Sequence, residues 1–216
     1  MTKLFIDIET IPCQWPNATE EIKRDLKAPA NYTKQETIDK WIEENAEKAY
    51  LKTSFDGGMG QIVVIGYAID DHPAQTFQVS DLSIGSEKEI LEDLYQIYSE
   101  VGAGSLVIGH NHIGFDLPFV FKRSIINSVT PTPFFPRNPK WNGAEVYDTM
   151  LGWSGKEFTS MNTLCKLFGI DGKGDIDGSD VWPMVQAGKI TEVAQYCAGD
   201  VERTREIFKR LTFGQL

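Results

Sequence analysis

The sequence is poor in the residues that build disulfide frameworks, thiolate metal sites and membrane spans. Its three cysteines, Cys13, Cys165 and Cys197, lie far apart and form no CxxC pair. This argues against a disulfide framework or a thiolate zinc site and favours reduced thiols. No apolar run approaches the roughly 20 residues that a membrane span needs, and acids interrupt the early run MTKLFIDIET. We therefore expect a soluble cytoplasmic protein without a secretory signal.

Positive charge is also scarce. The chain has 21 Lys and Arg residues against 31 Asp and Glu residues, which gives a net charge of −10. A protein that coats nucleic acid non-specifically draws its affinity from Lys and Arg on phosphates, so this class is disfavoured. An enzyme that acts on nucleic acid through metals and a local groove is compatible with the acidity, to which a carboxylate cluster would itself contribute.

The order of the predicted elements indicates one α/β domain over residues 1–216 with a mixed sheet. Apolar runs predict strands at 3–8, 61–69, 74–79, 105–109 and 145–148. Apolar residues at helical spacing predict helices at 34–52, from Ser86 onward, and at about 117–127, 160–168, 180–187 and 190–212. Prolines predict a loop from Pro12 to about Ala30, and residues 128–142 are expected to be irregular. We therefore expect the region from about residue 17 to residue 60 to be an insertion after the first strand, made of a loop and a helix.

Helix ends are predicted from side chains that satisfy free backbone groups. Thr33 with Glu36 and Ser86 with Glu89 have the spacing of a capping box, so each pair predicts a helix start. Gly169 is expected to end the helix before it, because glycine adopts the left-handed conformation that closes many helices.

Two acids lie together at the end of the first predicted strand. Asp7 and Glu9 are two residues apart, so their side chains point to the same face of the strand. Acids among apolar neighbours are costly to bury unless they are paired or bind a metal. Ordinary surface acids at an exposed strand end explain this pair equally well, so the pair alone leaves both interpretations open.

A third acid follows a strand in the middle of the chain. Asp116 lies in the segment GHNHIGFDLPFV, at the start of a predicted helix and at the sheet edge where α/β folds bind ligands. A helix-start acid favoured by the helix dipole is the simpler explanation when the segment is taken alone. His110 and His112 share a face, but no third His or Cys is nearby, which favours structural or hydrogen-bonding roles.

The last predicted helix carries a tyrosine and a fourth acid. Tyr196 and Asp200 are four residues apart in ITEVAQYCAGDVERTREIFKRL, so they lie on adjacent parts of one helix face. A surface tyrosine over a helical acid is common, and it is the better explanation of this pair in isolation. Cys197 belongs to the apolar stripe of the same helix and is expected in the core.

The three features in this order resemble the DEDD superfamily of 3′→5′ exonucleases, which has an RNase H-like mixed β-sheet flanked by α-helices. The resemblance implies that Asp7, Glu9, Asp116 and Asp200 are catalytic metal ligands. Tyr196 matches the catalytic tyrosine of the DEDDy subgroup. The stretch KGDIDGSDVWPMVQAGKITEVAQYCAGDV resembles predicted exonucleases related to the proofreading domain of family B DNA polymerases. The resemblance also implies two bound divalent cations, and because carboxylates are hard ligands, Mg²⁺ or Mn²⁺ is expected.

The resemblance also implies the reaction and its substrate. We expect release of nucleoside 5′-monophosphates from the 3′ end of DNA, with single-stranded DNA favoured and replication or repair proteins as candidate partners. Thr10, the backbone near Ile11, Asn111, Phe115 and Lys173 are the expected substrate contacts, although core burial is an equal alternative for Phe115.

Three alternatives stay open at this stage. An RNA exonuclease and an RNase H-like endonuclease would use the same carboxylates and metals, and a non-catalytic nucleic-acid-binding module would have the same fold. Asp148, at the end of the strand 145–148, is expected to support a ligand or a loop rather than to bind metal.

Overall fold

A five-stranded mixed sheet forms the centre of the computed structural model, which describes residues 1–137, 139, 145–172, 174 and 176–214. Its strands are β1 (Lys3–Ile11), β2 (Gln61–Ile69), β3 (Gln75–Gln78), β4 (Leu106–Gly109) and β5 (Val146–Asp148). The order across the sheet is β3-β2-β1-β4-β5. β2 pairs with β1 and β3 in the antiparallel sense, whereas β4 pairs with β1 and β5 in the parallel sense. The prediction of a mixed α/β sheet is confirmed.

Helices connect and flank these strands. They are α1 (Ala18–Asp25), α2 (Gln35–Lys52), α3 (Ile84–Val101), α4 (Asp116–Ile126), α5 (Thr149–Ser154), α6 (Met161–Phe168), α7 (Val181–Gln186) and α8 (Ile190–Leu211), with a 3-10 turn at Thr53–Phe55. α1 and α2 lie between β1 and β2 in the sequence and pack against each other. This confirms the helical insertion after the first strand. None of the helices in the described part of the chain combines the length and apolarity needed to cross a bilayer.

The prediction of a continuous loop from Pro12 to about Ala30 is wrong, because α1 lies inside it. Pro16 precedes the helix and Pro29 follows it, so the prolines flank the helix instead of interrupting it. α5 was also missed. It is six residues long and starts directly after β5, where the Asp148 carboxylate accepts hydrogen bonds from its first backbone N–H groups.

Both predicted capping boxes are wrong, although the helices exist. α2 starts after Lys34, one residue later than Thr33 would place it. α3 starts earlier than predicted, because the Ser83 hydroxyl accepts a hydrogen bond from the Ser86 N–H at 3.2 Å. The predicted end of α6 is confirmed, since Gly169 closes it in the left-handed region at φ 65°.

β1 has different lengths of pairing on its two sides. Residues Leu4–Ile11 pair with β2, with a register shift between Glu9 and Thr10. On the other side only Lys3–Phe5 pair with β4. Within the described sheet, β1 therefore runs past the paired part of β4, and Asp7 and Glu9 lie on this extension.

α8 packs closely across the sheet, against β1, β2 and β3. Gly66 of β2 makes this approach possible. A Cβ atom at this position would lie 2.9 Å from Cys197 Sγ and 2.9 Å from Val201 Cγ2. Both contacts are shorter than van der Waals distances, so the small residue on β2 sets how near α8 comes to β1.

α4 is fixed to the rest of the core by a buried ion pair. Arg123 donates to both carboxylate oxygens of Glu87 in α3, at 2.8 and 2.6 Å. Asn127 and the backbone N–H of Ile62 also donate to Glu87, at 3.0 and 2.8 Å. This buried carboxylate is thereby fully paired, which makes it a structural group that holds the helix carrying Asp116.

Candidate active site

Asp7 and Glu9 lie close together on the part of β1 that pairs with β2 but not with β4. Asp7 is half-buried and Glu9 is 7% exposed. Oxygen atoms of both carboxylates and Cys197 Sγ all lie within 4.8 Å of one another, so these residues could hold one metal ion. The expected shared face is therefore present.

Asp116 is the first residue of α4 and is 4% exposed. Burial raises the pKa of its carboxyl well above the ordinary value, and the negative charges of Asp7 and Asp148 raise this pKa further. A hydrogen bond with the backbone of Ile8 acts in the opposite direction. The structure thus brings Asp116 within electrostatic reach of Asp7, although the two are 109 residues apart in the sequence (116 − 7).

Asp200 is 2% exposed and approaches the group from α8. The guanidinium of Arg203 donates to its Oδ1 at 2.9 Å. Arg203 also donates to the backbone carbonyls of Asp171 and Gly172, at 3.2 and 2.9 Å. One side chain therefore links this acid to the loop that follows α6. Sequence patterns missed this role because both carbonyls are more than 30 residues from Arg203.

Cys197 lies among the carboxylates and is fully buried. Its Sγ is 3.5 Å from Asp7 Oδ2 and 3.6 Å from the Asp7 backbone oxygen. Burial raises the pKa of the thiol well above its usual value, as do the charges of Asp7, Glu9 and Asp200. It is a core residue as expected, but its contact with Asp7 was missed. The signal was its position three residues before Asp200, on the same side of the helix.

A cleft of about 490 Å³ opens beside these residues. Tyr196, 8% exposed, lines it together with Asp7. The remaining lining comes from the loop after β4, the connection between α5 and α6, the start of α6 and the loop after α6: His110, Asn111, Phe158, Ser160, Met161, Asn162, Gly174, Ile176, Asp177 and Gly178. The predicted tyrosine and the first predicted acid therefore share one cleft.

The loop after β4 is held by Asp148. This carboxylate is 1% exposed and accepts hydrogen bonds from the backbone N–H groups of Asn111 and Ile113, at 3.1 and 3.0 Å. Asn111 has φ 57°, a left-handed conformation that asparagine tolerates better than most residues. Asp148 thus supports the loop that presents Asn111 to the cleft, in line with the supporting role expected for it.

Comparison with known protein families shows which family this chain belongs to. Residues 48–215 match the sequence model of a family described as a predicted 3′–5′ exonuclease related to the exonuclease domain of PolB. The chain belongs to this family. The matched region contains Asp116, Tyr196 and Asp200 but begins after Asp7 and Glu9, so the geometry described above is what joins those two acids to the others.

The fold of this chain is also similar to that of a solved structure. The family B DNA polymerase from the hyperthermophilic archaeon Pyrobaculum calidifontis matches 99% of this chain with a TM-score of 0.61 and 13% sequence identity. The chain spans only 24% of the polymerase chain. The RNase H-like α/β fold expected from the sequence is thereby confirmed. No curated protein is similar enough to count as a match.

The two histidines near the site of this exonuclease-family chain have different surroundings. His110 Nδ1 lies 2.9 Å from Thr149 Oγ1, and its Nε2 lies 3.0 Å from the Thr159 carbonyl oxygen. His112 is fully buried with Nδ1 4.0 Å from Asp116 Oδ2, and neither ring nitrogen has a hydrogen-bond partner among the described residues. Burial lowers the pKa of His112 to about 3, so its ring is neutral.

The expected substrate contacts of the family are only partly brought to the cleft. Asn111 lines it, whereas the Thr10 hydroxyl donates to the Ser54 carbonyl at 2.7 Å. Ile11 is 0% exposed as a whole residue, so in this structure neither its side chain nor its backbone is open to a substrate, in contrast to the expected backbone contact. Lys173 lies outside the described residues.

Phe115 is half-buried rather than fully in the core. Its ring packs against Phe119 at 5.4 Å and against the exposed Phe55 at 6.4 Å, measured between ring centroids. This leaves both of its expected roles, substrate contact and core packing, compatible with its position.

The donor set of the site fits divalent metal ions. Three buried carboxylates and the half-buried Asp7 surround the same region, and Arg203 is the cation that contacts one of them. Buried like charges are tolerated when a cation neutralises them, and carboxylate oxygens suit hard ions such as Mg²⁺ and Mn²⁺. Asp7 and Glu9 could therefore hold such an ion, and Asp116 and Asp200 approach the same region from α4 and α8.

Proposed function

We propose that the protein is a metal-dependent 3′→5′ exodeoxyribonuclease that removes nucleoside 5′-monophosphates from single-stranded 3′ ends. The observation that supports this most directly is the convergence of Asp7, Glu9, Asp116 and Asp200 beside the cleft that Tyr196 lines. Family membership supports the 3′–5′ direction, and the likeness to a DNA polymerase favours DNA. We also propose that residues 1–216 form one exonuclease domain.

The four acids are the proposed ligands of two divalent cations, Mg²⁺ or Mn²⁺. When bound, such a pair supplies an activated water and stabilises the charge on the attacking and leaving oxygens. The protein contributes the fixed geometry, because β1, α4 and α8 each present their acid from a rigid element. Arg203 restrains Asp200 by a hydrogen bond to its Oδ1.

Tyr196 is the proposed partner of the attacking water. Its hydroxyl can hold or orient that water by hydrogen bonding, and the cleft gives it access to the same space as Asp7. Asn111, on the loop that Asp148 holds, is placed to contact the terminal nucleotide. The phosphate would meet the metal side of the cleft, so the base and sugar would occupy the part lined by Phe158, Ser160 and Asp177.

The test uses a 5′-labelled single-stranded DNA oligonucleotide with Mg²⁺ or Mn²⁺, run beside the RNA of the same sequence and the DNA duplex. Wild-type protein should give a ladder of shortened products, and EDTA or Asp7→Ala should abolish it. Asp25→Ala is the matched control, since Asp25 is an exposed acid at the end of α1 and should leave the ladder unchanged.

The outcomes separate the related activities. Products from RNA alone would replace the DNA assignment with an RNA exonuclease, and cleavage of a circular single strand would indicate an endonuclease. Intact substrate in every metal condition, from protein whose circular dichroism shows that it is folded, would contradict the proposal.

A further inference from the structure

An exposed aromatic side chain stands beside the proposed catalytic groups without a role in the chemistry. Phe158 lies in the connection between α5 and α6, is 76% exposed, and lines the cleft together with Asp7 and Tyr196. Isolated exposed aromatics are ordinary on protein surfaces. This one lies in a cleft whose other named lining residues are mostly polar or small, so its ring offers a flat apolar surface where the substrate must enter.

The backbone on both sides of Phe158 is fixed. The Thr159 carbonyl can only accept a hydrogen bond, so His110 Nε2 donates to it over 3.0 Å. Before Phe158, the Ser154 hydroxyl donates to the Glu157 carbonyl. After it, the Ser160 hydroxyl caps α6 by accepting from the Thr163 N–H at 3.2 Å. The backbone that carries the ring is thereby held at the rim before the substrate arrives, which reduces the entropy lost on binding.

We propose that Phe158 is a stacking platform for a nucleobase next to the scissile phosphate. The inference rests on the proposed function, since it places this base in the same cleft as the cleaved bond. A phenyl ring carries no hydrogen-bonding group, so it recognises the flat face of any base and gives no sequence preference. His110 is then a positioning residue, because it ties the Phe158 segment to Thr149 at the start of α5.

The test measures binding without cleavage. Fluorescence anisotropy in EDTA compares a labelled single-stranded DNA with versions that lack the base at the terminal, the penultimate or the fifth nucleotide from the 3′ end. Wild-type protein should bind the terminal or the penultimate abasic strand about tenfold more weakly than the intact strand. The fifth position should have no such effect.

Variants assign this difference to the ring. Phe158→Ala should bind the intact and abasic strands equally, and Phe158→Trp should keep the preference. Phe213→Ala is the matched control, because Phe213 is 86% exposed and follows α8 away from the cleft-lining residues, and it should behave as wild type.

The result is distinguishable from failure of the proposed function, which is read from cleavage in Mg²⁺. If the protein cleaves DNA but the Phe158→Ala variant keeps the tenfold binding preference, the stacking platform is overturned and the proposed function stands. An unchanged preference in Phe158→Ala overturns the platform whether or not the protein cleaves DNA. A wild-type protein that does not detectably bind the intact strand also overturns the platform. If Phe158→Ala loses the binding preference but the wild-type protein cleaves no substrate, the platform stands as a base-binding site and the proposed nuclease function fails.

Discussion

Asp116 and Asp200 are buried to a similar extent, but their charges meet different neighbours. Asp200 has the Arg203 guanidinium at 2.9 Å. Asp116 faces Asp7 and Asp148, and burial together with these negative charges raises its pKa. Asp116 therefore lies near like charges where Asp200 has a cation, and a cation bound beside Asp116 and Asp7 would relieve this repulsion.

Arg203→Ala should weaken metal-dependent activity more than it weakens the fold. The change removes the hydrogen bond to Asp200 and the two hydrogen bonds to the Asp171 and Gly172 carbonyls. Loss of a partner that orients a metal ligand typically costs about 10–100-fold in metal affinity or activity. The measurement is the Mn²⁺ concentration for half-maximal hydrolysis.

Arg210→Ala is the control for Arg203, since Arg210 is exposed in the last turn of α8. Arg203→Lys should recover only part of the effect, because an ammonium group lacks the forked geometry that reaches three acceptors. Equal Mn²⁺ dependence in Arg203→Ala and wild type would show that Arg203 does not position Asp200.

His112→Leu should make the protein less sensitive to acid. The pKa of His112 is about 3 in the fold against an ordinary 6.5, so below pH 6.5 the unfolded chain binds a proton there that the folded protein does not. By itself this difference should lower the free energy of unfolding of the wild type by about 1.4 kcal/mol per pH unit from pH 6.5 toward 3. The raised pKa of Asp116 acts in the opposite direction in both proteins. The leucine variant lacks the contribution of His112.

Urea unfolding at pH 7.5, 6.5, 5.5 and 4.5 measures the difference between wild type and His112→Leu. At pH 7.5 the variant should be as stable as wild type or more so, since the described part of the chain offers no hydrogen-bond partner to either ring nitrogen. His72→Leu is the control because His72 is exposed. A variant that loses stability in acid as steeply as wild type would contradict the assignment.

Among the elements, α8 carries most of the site, and one glycine sets its distance from the sheet. Tyr196, Cys197, Asp200 and Arg203 all belong to this helix, which meets β2 where Gly66 leaves no side chain. The relative position of the acids on β1 and α8 therefore depends on a residue that touches no substrate.

Gly66→Ala should reduce both stability and activity. The added Cβ would lie 2.9 Å from Cys197 Sγ and Val201 Cγ2, so α8 must move outward. Overpacking of this kind typically costs about 1–3 kcal/mol. Urea unfolding gives the loss of stability, and kcat on single-stranded DNA gives the effect on the site.

A second glycine controls for the substitution itself. Gly85→Ala in α3 meets only the Ser83 hydroxyl at 3.7 Å, so it should leave kcat unchanged and gain up to about 1 kcal/mol of stability. If Gly66→Ala kept wild-type kcat in protein that is fully folded, the spacing of α8 would not matter for the reaction.

Local sequence patterns were sufficient for most elements. Apolar periodicity located the strands and the long helices, because burial on one face imposes it directly. Helix starts were less accurate: Ser86 does not cap α3 but accepts a hydrogen bond from the Ser80 N–H at 2.8 Å. α1 was missed because it is only eight residues long, mostly exposed and polar, with Ala18 as its buried residue.

The acids of the site were predictable as a set, but their individual surroundings were not. Asp7 and Glu9 lie on one face because of strand geometry, whereas the approach of Cys197 to Asp7 depends on helix packing across 190 residues of sequence. The same holds for the bond between His110 and Thr159 that fixes the Phe158 segment. Contacts of this range depend on the tertiary fold, which no local pattern encodes.

At the scale of the whole molecule, the excess of negative charge and the clustered acids predict that metal stabilises the fold. Mg²⁺ or Mn²⁺ that binds only the folded state at about 100 times its Kd should add about 2.7 kcal/mol, or roughly 5–10 °C in Tm for a chain of this size. Differential scanning calorimetry with increasing Mn²⁺ measures the shift, and EDTA should reverse it.

Asp7→Ala should lose most of this shift, while Asp25→Ala should keep it. NaCl at matched ionic strength controls for general screening of the net charge of −10. A Tm that rises equally with NaCl and with Mn²⁺ would attribute the effect to screening and contradict a specific site.

The unequal pairing of β1 has a further consequence for how the chain can vary. β4 ends at Gly109, and the two residues that follow it, His110 and Asn111, line the cleft together with Asp7. Lengthening β4 by two residues in register would displace this lining, whereas lengthening β3 at the far edge would leave it in place. Insertions in this protein should therefore be tolerated according to which strand they extend, and the shortness of β4 is as much a requirement of the site as the acids themselves.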